Sequence, residues 1–562
     1  MINKVELGSV NSKNIAPINC KQNLQQPSFT GANWALKAIQ RCEESPMLNV
    51  AVLDLATAII PRTFFETFIG SKQKDENGND TGERKLNLLG GFEALRREGS
   101  GLLINCIIPS FVVLGFAELL EKPVMGIFRN SKLAGSWANS DTIDKIEKYY
   151  RASAGDNKEE RMFNTLKSMF DDLEGVDGDI TKGGLKKFSE IFADDKLYTQ
   201  SIREMARNIV SETPTKGYAT EMYQYLVQKG GIAENIRFAG DKGFFSSSLS
   251  HLCESAGDLL HGVSKESANI ATSTDLAQYF GKAKKLVNVK SIAGLGFIIP
   301  LAIAAQPINR WITHKMAGKK GAPIYNDDRE HVTTPEEKKK LTAQKFIAVP
   351  AMWAVAGLSM LMDRPSLKMF QFKNIFPTMD QARIISAATF SSRLAAAEDS
   401  NELKENTIRD IATFSSFYFL GDYVAKGVAT AIENKNSDGI KLINRLKSPK
   451  EGANVFERFW TWAKHTKMKS TDELGAIADT AMRTKAKNLR AVCQLSNLAF
   501  SLLSLGVIIP LYTRSQTNKK QRLEAAKLAA ANSEPKTTQT GSTTFTQNLI
   551  KGSSGTFQSF FS

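Results

Sequence analysis

Histidine and cysteine are scarce, at five residues each in a chain of 562. The cysteines, Cys20, Cys42, Cys106, Cys253 and Cys493, stand far apart, and no Cys-x-x-Cys pair occurs. That excludes a zinc ribbon and leaves no pattern for a disulfide framework, so separate reduced thiols are expected. P-loop, zincin and nucleophile-elbow signatures are also missing, so no catalytic residue and no cofactor is expected. Stretches of alternating apolar and polar residues are few, which excludes a β-rich fold. Residues 1–30 are polar and lack the apolar segment of a cleavable secretion signal. No aromatic-interleaved basic motif accompanies the formal charge of +15, so nucleic acid is not the expected partner. The positive balance fits an anionic lipid surface better.

What the chain does have is uncharged stretches hidden by an average hydropathy of −0.24. Residues 99–117, 291–309, 346–362 and 491–513 contain no charged side chain. They hold 19, 19, 17 and 23 residues, against the ~20 that a helix needs to cross a hydrocarbon layer ~30 Å thick. Lysine or arginine brackets them: Arg97, Lys290 and Arg310, Lys345 and Arg364, Arg490 and Arg514. Cations so placed reach the lipid head groups while their stems stay apolar. The competing reading makes these runs buried helices of a large soluble protein. A fifth apolar stretch, 47–65, carries Asp54 and Arg62 and is expected at an interface or in a core.

A phrase ending Ile-Ile-Pro recurs in three of the runs, at Pro109, Pro300 and Pro510. Proline inside a helix removes an amide donor and crowds the carbonyl four residues back. Those residues are Asn105, Gly296 and Gly506. Kinked helices are expected at Pro109 and Pro300, with Pro510 marking an exit. Neighbouring helices or Ser/Thr hydroxyls would satisfy the freed carbonyls.

The expected fold class is all-α: a helical membrane protein with polar helical insert regions and disordered termini. Residues 1–30 form a polar leader. Residues 31–135 are a helical region holding the run 99–117, and 136–285 are a polar helical insert. Residues 286–362 hold the runs 291–309 and 346–362 around a charged hinge at 324–345. A helical region follows at 363–489, then the run within 490–513. The tail, 530–562, is rich in Ser, Thr and Gly and too polar for a core.

Two motifs tempt a chemical reading. Residues 170–188 align partly with a calcium EF-hand, with Asp177, Asp179 and Thr181 at ligand positions. Positions one, three and twelve then fall on Leu173, Gly175 and Gly184, which offer no side-chain oxygen. No bound metal is expected; a soluble helical protein with an EF-hand-like loop remains an alternative reading. The same Asp177 and Asp179 match the two-aspartate pattern of haloacid dehalogenase-type enzymes. There the first Asp ends a buried strand, and no strand is expected before Asp177 here. His251 and His261 lie ten positions apart, too far along a helix to hold one ion.

The leader ends "QQPSFTG" at residues 25–31. It resembles a loose group of gut-bacterial proteins of unknown function that carry a polar leader closing on a PSFTG-like motif. That resemblance implies a bacterial source and nothing about activity. The reading as a whole is a multi-pass bacterial membrane protein with a non-enzymatic scaffold or membrane-organising role. Its partners are the lipid bilayer and unidentified proteins. The alternative is a transporter-like bundle with proline-kinked helices. Such a path needs an ionisable group within the membrane; the four runs hold none, and Asp422, in the apolar stretch 417–432, is the candidate. Eighteen Lys and Arg flank the runs on the side of the termini and the 310–345 loop, against fourteen on the other side. Both termini are therefore expected in the cytoplasm.

Overall fold

The computed structural model describes residues 46–317, 335–362 and 370–516, apart from short stretches inside those ranges. Helices dominate it, and the only sheets among the described residues are three small antiparallel ones. The polar leader and tail lie outside the described residues.

Four of the described helices are long and apolar enough, by length and composition, to cross a membrane. Each contains one of the uncharged runs. Helix α1 starts at Pro46 and continues to Ile69. The hairpin β1 (Lys72–Lys74) and β2 (Asp80–Arg84) then turns the chain into α2, Leu88–Phe128. Asn87 caps α2 by accepting from the Gly90 amide at 2.9 Å, and its own amide donates to the Thr67 carbonyl of α1. Helix α1 therefore lies antiparallel to α2.

Next comes a polar body: α3 (Ser140–Ala152), α4 (Lys158–Asp171), α5 (Lys196–Val210), α6 (Thr215–Gly230) and α7 (Leu249–Lys265). The strands β3 (Leu173–Val176), β4 (Leu185–Lys187) and β5 (Arg237–Phe238) pair in the order β4-β3-β5. Asn139, Asn157, Asp195 and Ser248 cap four of these helices. Apolar residues at helical spacing, such as Ile143, Ile146 and Tyr150 of α3, fill the core. That core also takes in Met125 and Phe128 from the end of α2 and Tyr279, Phe280 and Leu286 from the start of α8 (Ser273–Ala317). Helix α8 thus runs unbroken from the polar body into the second apolar run, across the expected boundary at 285.

Helix α9 is Pro335–Met362 and α10 is Met379–Ala395. Helix α11 is Ser400–Ser415, continued through Ser416–Leu420 into Gly421–Lys435. Then follow β6 (Ile443–Arg445), α12 (Val455–His465) and β7 (Thr466–Met468), and α13 starts at Thr480 and ends at Tyr512. The polar segment between α11 and α13 folds back onto the earlier polar body. Asn444 Oδ1 accepts from the Gly178 amide at 2.7 Å, and Glu473 accepts from the Ala233 and Glu234 amides. Two polar regions more than 200 residues apart in sequence therefore share one end of the molecule.

Helix α10 occupies the middle of the bundle, buried over nearly its whole length although it carries two arginines and several hydroxyls. Three of these polar groups reach three different neighbours. Arg383 donates to the Tyr418 carbonyl of α11 at 3.1 Å, and Thr389 donates to Asn105 of α2 at 3.1 Å. Ser392 donates to the Ile303 carbonyl of α8. Ile303 stands four residues before Pro307, so its carbonyl is the one that proline leaves without a helical donor. The serine of a neighbouring helix supplies the missing bond.

Three Ile-Ile-Pro sites share a backbone device. At Pro61, Pro109 and Pro510 a π turn ends on the first isoleucine. The amide just before the proline reaches five residues back: Ile60 to Leu55, Ile108 to Leu103 and Ile509 to Ser504. The widened turn gives the ring room that a regular turn denies it. Pro300 differs, lying in continuous α-helix. Two of these turns meet. A Cβ added at Gly506 would lie 3.1 Å from the Thr57 carbonyl and 3.3 Å from Pro61 Cγ. Glycine at 506 is what lets α1 and α13 approach this closely.

Candidate functional site

The strongest concentration of buried charge is an arginine–carboxylate network where α1, α2, α8, α10 and α11 converge. Glu98 of α2 pairs with Arg62 of α1 at 3.1 Å and with Arg393 of α10 at 3.3 Å. Arg393 also pairs with Asp410 of α11 at 3.0 Å, and Asp410 with Arg409 at 3.1 Å. Arg97, itself buried, faces Arg393, Arg62 and Arg409, with Glu402 as its attractive neighbour. Four guanidiniums thus surround Glu98. Beside them Arg310 of α8 pairs with Glu398 at 3.1 Å and with the buried Glu402. Thr313 links Arg96 to Glu93, and Asn309 donates to Ser100 at 2.7 Å. Ser400 donates to Gln344 at 2.7 Å, drawing the start of α9 to the same end.

The level of this network decides what it does. Arg97 and Glu98 immediately precede the first uncharged run, Arg310 immediately follows the second, and Gln344 stands just before the third. The network therefore closes one end of the apolar bundle, and the runs themselves stay free of charge. Buried ions are stable only when paired with good geometry, and removing one partner strands the other. Five helices are pinned in one register this way. Arginine does not exchange protons at ordinary pH, so the guanidiniums act here as fixed positive charges that tie the carboxylates of neighbouring helices together.

The polar body caps the opposite end. Lys282 donates to the Met125 carbonyl at 3.4 Å, Phe372 donates its amide to Ser291 at 2.8 Å, and Lys284 pairs with Asp144 at 2.7 Å. Arg490, the cation at the head of the fourth run, donates to the Lys469 carbonyl at 2.6 Å on this same side.

Of the residues singled out by motif, Asp177 and Thr181 lie outside the described residues. Asp179 forms an isolated parallel bridge with Arg445. The segment before Asp177 corrects one expectation. Leu173–Val176 is a buried strand, pairing antiparallel on both sides, where no strand was expected. Its signal was masked by Glu174, whose charge is met by Arg237 at 2.5 Å. Positions one to four of the calcium-loop alignment are thus strand. The neighbouring acids are engaged, Asp171 by Lys167 and Tyr198 and Asp172 by Tyr149. Among the described residues no group of three metal-ligating side chains occurs. His251 stacks on Trp137 at 3.7 Å, while His261 is buried with Nδ1 3.1 Å from the Ile209 carbonyl. Cys106, Cys253 and Cys493 are buried and unpaired, and burial pushes the Cys253 thiol far up. Asp422 pairs with Lys426 at 2.5 Å.

Comparison with protein-family models, curated proteins and solved structures finds no match for this chain. Reading the sequence missed Arg393 and Asp410, which belong to 363–489, a stretch that reads only as a helical region. The available signal was a lone arginine in a stretch of small residues, "SSRLAAA" at 391–397, beside an unexplained Arg62 in an apolar one.

Proposed function

We propose that this chain is an integral protein of the bacterial cell membrane, crossing the bilayer four times and serving as a non-enzymatic helical platform. The observation that carries the reading is exposure. Only 28–44% of each apolar window is buried against the rest of the protein. Phe111, Ile292, Phe346, Leu503 and Ile508 are all more than half exposed. Helices buried in a soluble core would hide such faces, and apolar patches this extensive mark contact with a membrane or a partner. The closed ionic end supports a platform: five helices are locked together, and α8 joins the polar body rigidly to the bundle. Antiparallel order supports the topology. The start of the first run, the end of the second and the start of the third meet at the ionic end, and α13 ends near Pro61 on that side. We place that end in the cytoplasm with the termini, on the cation balance.

A second reading, a transport bundle, is favoured by one observation. Ser110 and Gln306, inside the apolar runs, and Ser391 of α10 keep buried polar atoms without a hydrogen-bond partner. Polar groups within a membrane tend to mark paths.

Alkaline carbonate extraction of cell membranes tests the main reading. The protein should stay in the pellet and leave it only with detergent. Release into the carbonate supernatant overturns both membrane readings. A solute flux in proteoliposomes abolished by Gln306→Leu, with the fold intact, would favour transport over platform.

A further inference from the structure

Helix α12, Val455–His465, has the sequence VFERFWTWAKH and buries only Ala463. Val455, Phe456, Phe459, Trp460, Trp462 and Ala463 fall on one side of a 3.6-residue helix; Glu457, Arg458, Thr461, Lys464 and His465 fall on the other. The C-terminal part of the apolar side rests on α11. Tyr423 meets the rings of Phe459 and Trp462 at 6.5 and 6.3 Å, and Trp462 Nε1 donates to Thr430 at 3.3 Å. The N-terminal part is left open by the described residues: Val455 is 84% and Phe456 70% exposed, with Phe456 against Trp460 at 6.2 Å. Exposed Lys447 and Lys450 precede it.

The position of this face identifies what covers it. Tyr423 is two residues from Gly421, which packs on Asn497 of α13. Ala425 and Ala429 share a core with Ala486 and Cys493. The strand that follows α12 leads to Lys469, held by Arg490. Helix α12 therefore stands abreast of residues 486–497, where the fourth uncharged run begins and the water–lipid boundary falls. Aromatic rings with a basic opposite face are the composition of helices lying in the plane of that boundary.

We propose that α12 is an in-plane anchor, its Phe456–Phe459–Trp460 face inserted among lipid head groups and upper acyl chains, with Lys447, Lys450, Arg458 and Lys464 toward anionic phosphates. The inference rests on the four apolar helices crossing the bilayer. It explains why an aromatic face is left open in a segment otherwise folded onto the polar body.

Photocrosslinking in native membranes tests it, with benzoylphenylalanine placed singly at Phe456, Glu457 or Phe111 of the full chain. Phe111 lies in the first apolar run and is 73% exposed, against 70% for Phe456. Lipid adducts are expected at Phe456 and Phe111 and not at Glu457. Lipid adducts at Phe111 with none at Phe456 overturn the anchor and leave the membrane reading standing. A protein adduct at Phe456 also overturns it, since another chain then covers the face. No lipid adduct at either phenylalanine overturns both.

Discussion

Replacing Ser392 by alanine removes the donor that meets the Ile303 carbonyl. The cost depends on whether that carbonyl has another donor, and Pro307 ensures that its own helix provides none. Stranding a buried acceptor costs about 1–3 kcal/mol. Side-chain hydrogen bonds within membranes average nearer 0.6 kcal/mol, because the unfolded reference finds partners too. Ser392 is buried and its acceptor is fixed in a helix, so about 1–2 kcal/mol is expected for Ser392→Ala. Pro307→Ala restores an amide that can reach Ile303 within the helix. In that background Ser392→Ala should cost less than about 0.5 kcal/mol, giving a coupling of roughly 1 kcal/mol between residues on different helices. Equilibrium unfolding in SDS, followed by circular dichroism on all four proteins of the cycle, measures it. Equal costs of Ser392→Ala in both backgrounds would refute the idea that the serine serves the carbonyl freed by proline.

Four further outcomes are expected. Arg393→Met removes one ion pair from Asp410 and one from Glu98 but leaves Asp410 paired with Arg409 and Glu98 with Arg62, so about 3 kcal/mol is expected, at the low end for a broken buried pair; a loss within error in SDS unfolding means that the network is hydrated. Gly506→Val pushes a side chain into Thr57 and Pro61 and should cost about 1–3 kcal/mol by overpacking, while wild-type stability would mean that α1 and α13 do not touch. Burial raises Asp258 in the polar body to about 7 from an ordinary 3.8, against a hydrogen bond from Thr215 and the charge of Lys132. The folded state then keeps a proton that the unfolded state gives up, so its contribution to stability falls as pH rises from about 4 to 7; Asp258→Asn should be more stable than wild type at pH 8 and no different near pH 4, and equal melting curves at pH 8 would contradict this. Periplasm-dependent reporters at Phe29 and Gly541 should both be silent; activity at Phe29 alone would make the helix from Pro46 to Ile69 a fifth crossing and put the N-terminus outside.

Periodicity and composition were enough to determine the helical class, because helix formation answers to local spacing and to the absence of alternating strands. The four apolar helices were legible for the same reason: charge-free length is a property of consecutive residues. The start of α9 at Pro335 could be read too, since proline suits the first turn. Proline positions were visible, but their backbone outcome was not. Three Ile-Ile-Pro sites carry π turns and Pro300 does not, a difference that the shared Ile-Ile-Pro pattern does not encode. The strand Leu173–Val176 was hidden because its glutamate is tolerable only beside Arg237, which lies 63 residues away. The ionic network was hidden likewise. Arg62, Glu98, Arg393 and Asp410 come from four helices, and each reads alone as an ordinary charge. Only tertiary structure brings them together, and burial of their charges then makes pairing obligatory, because an ion out of water is stable only when a partner of opposite sign is held beside it.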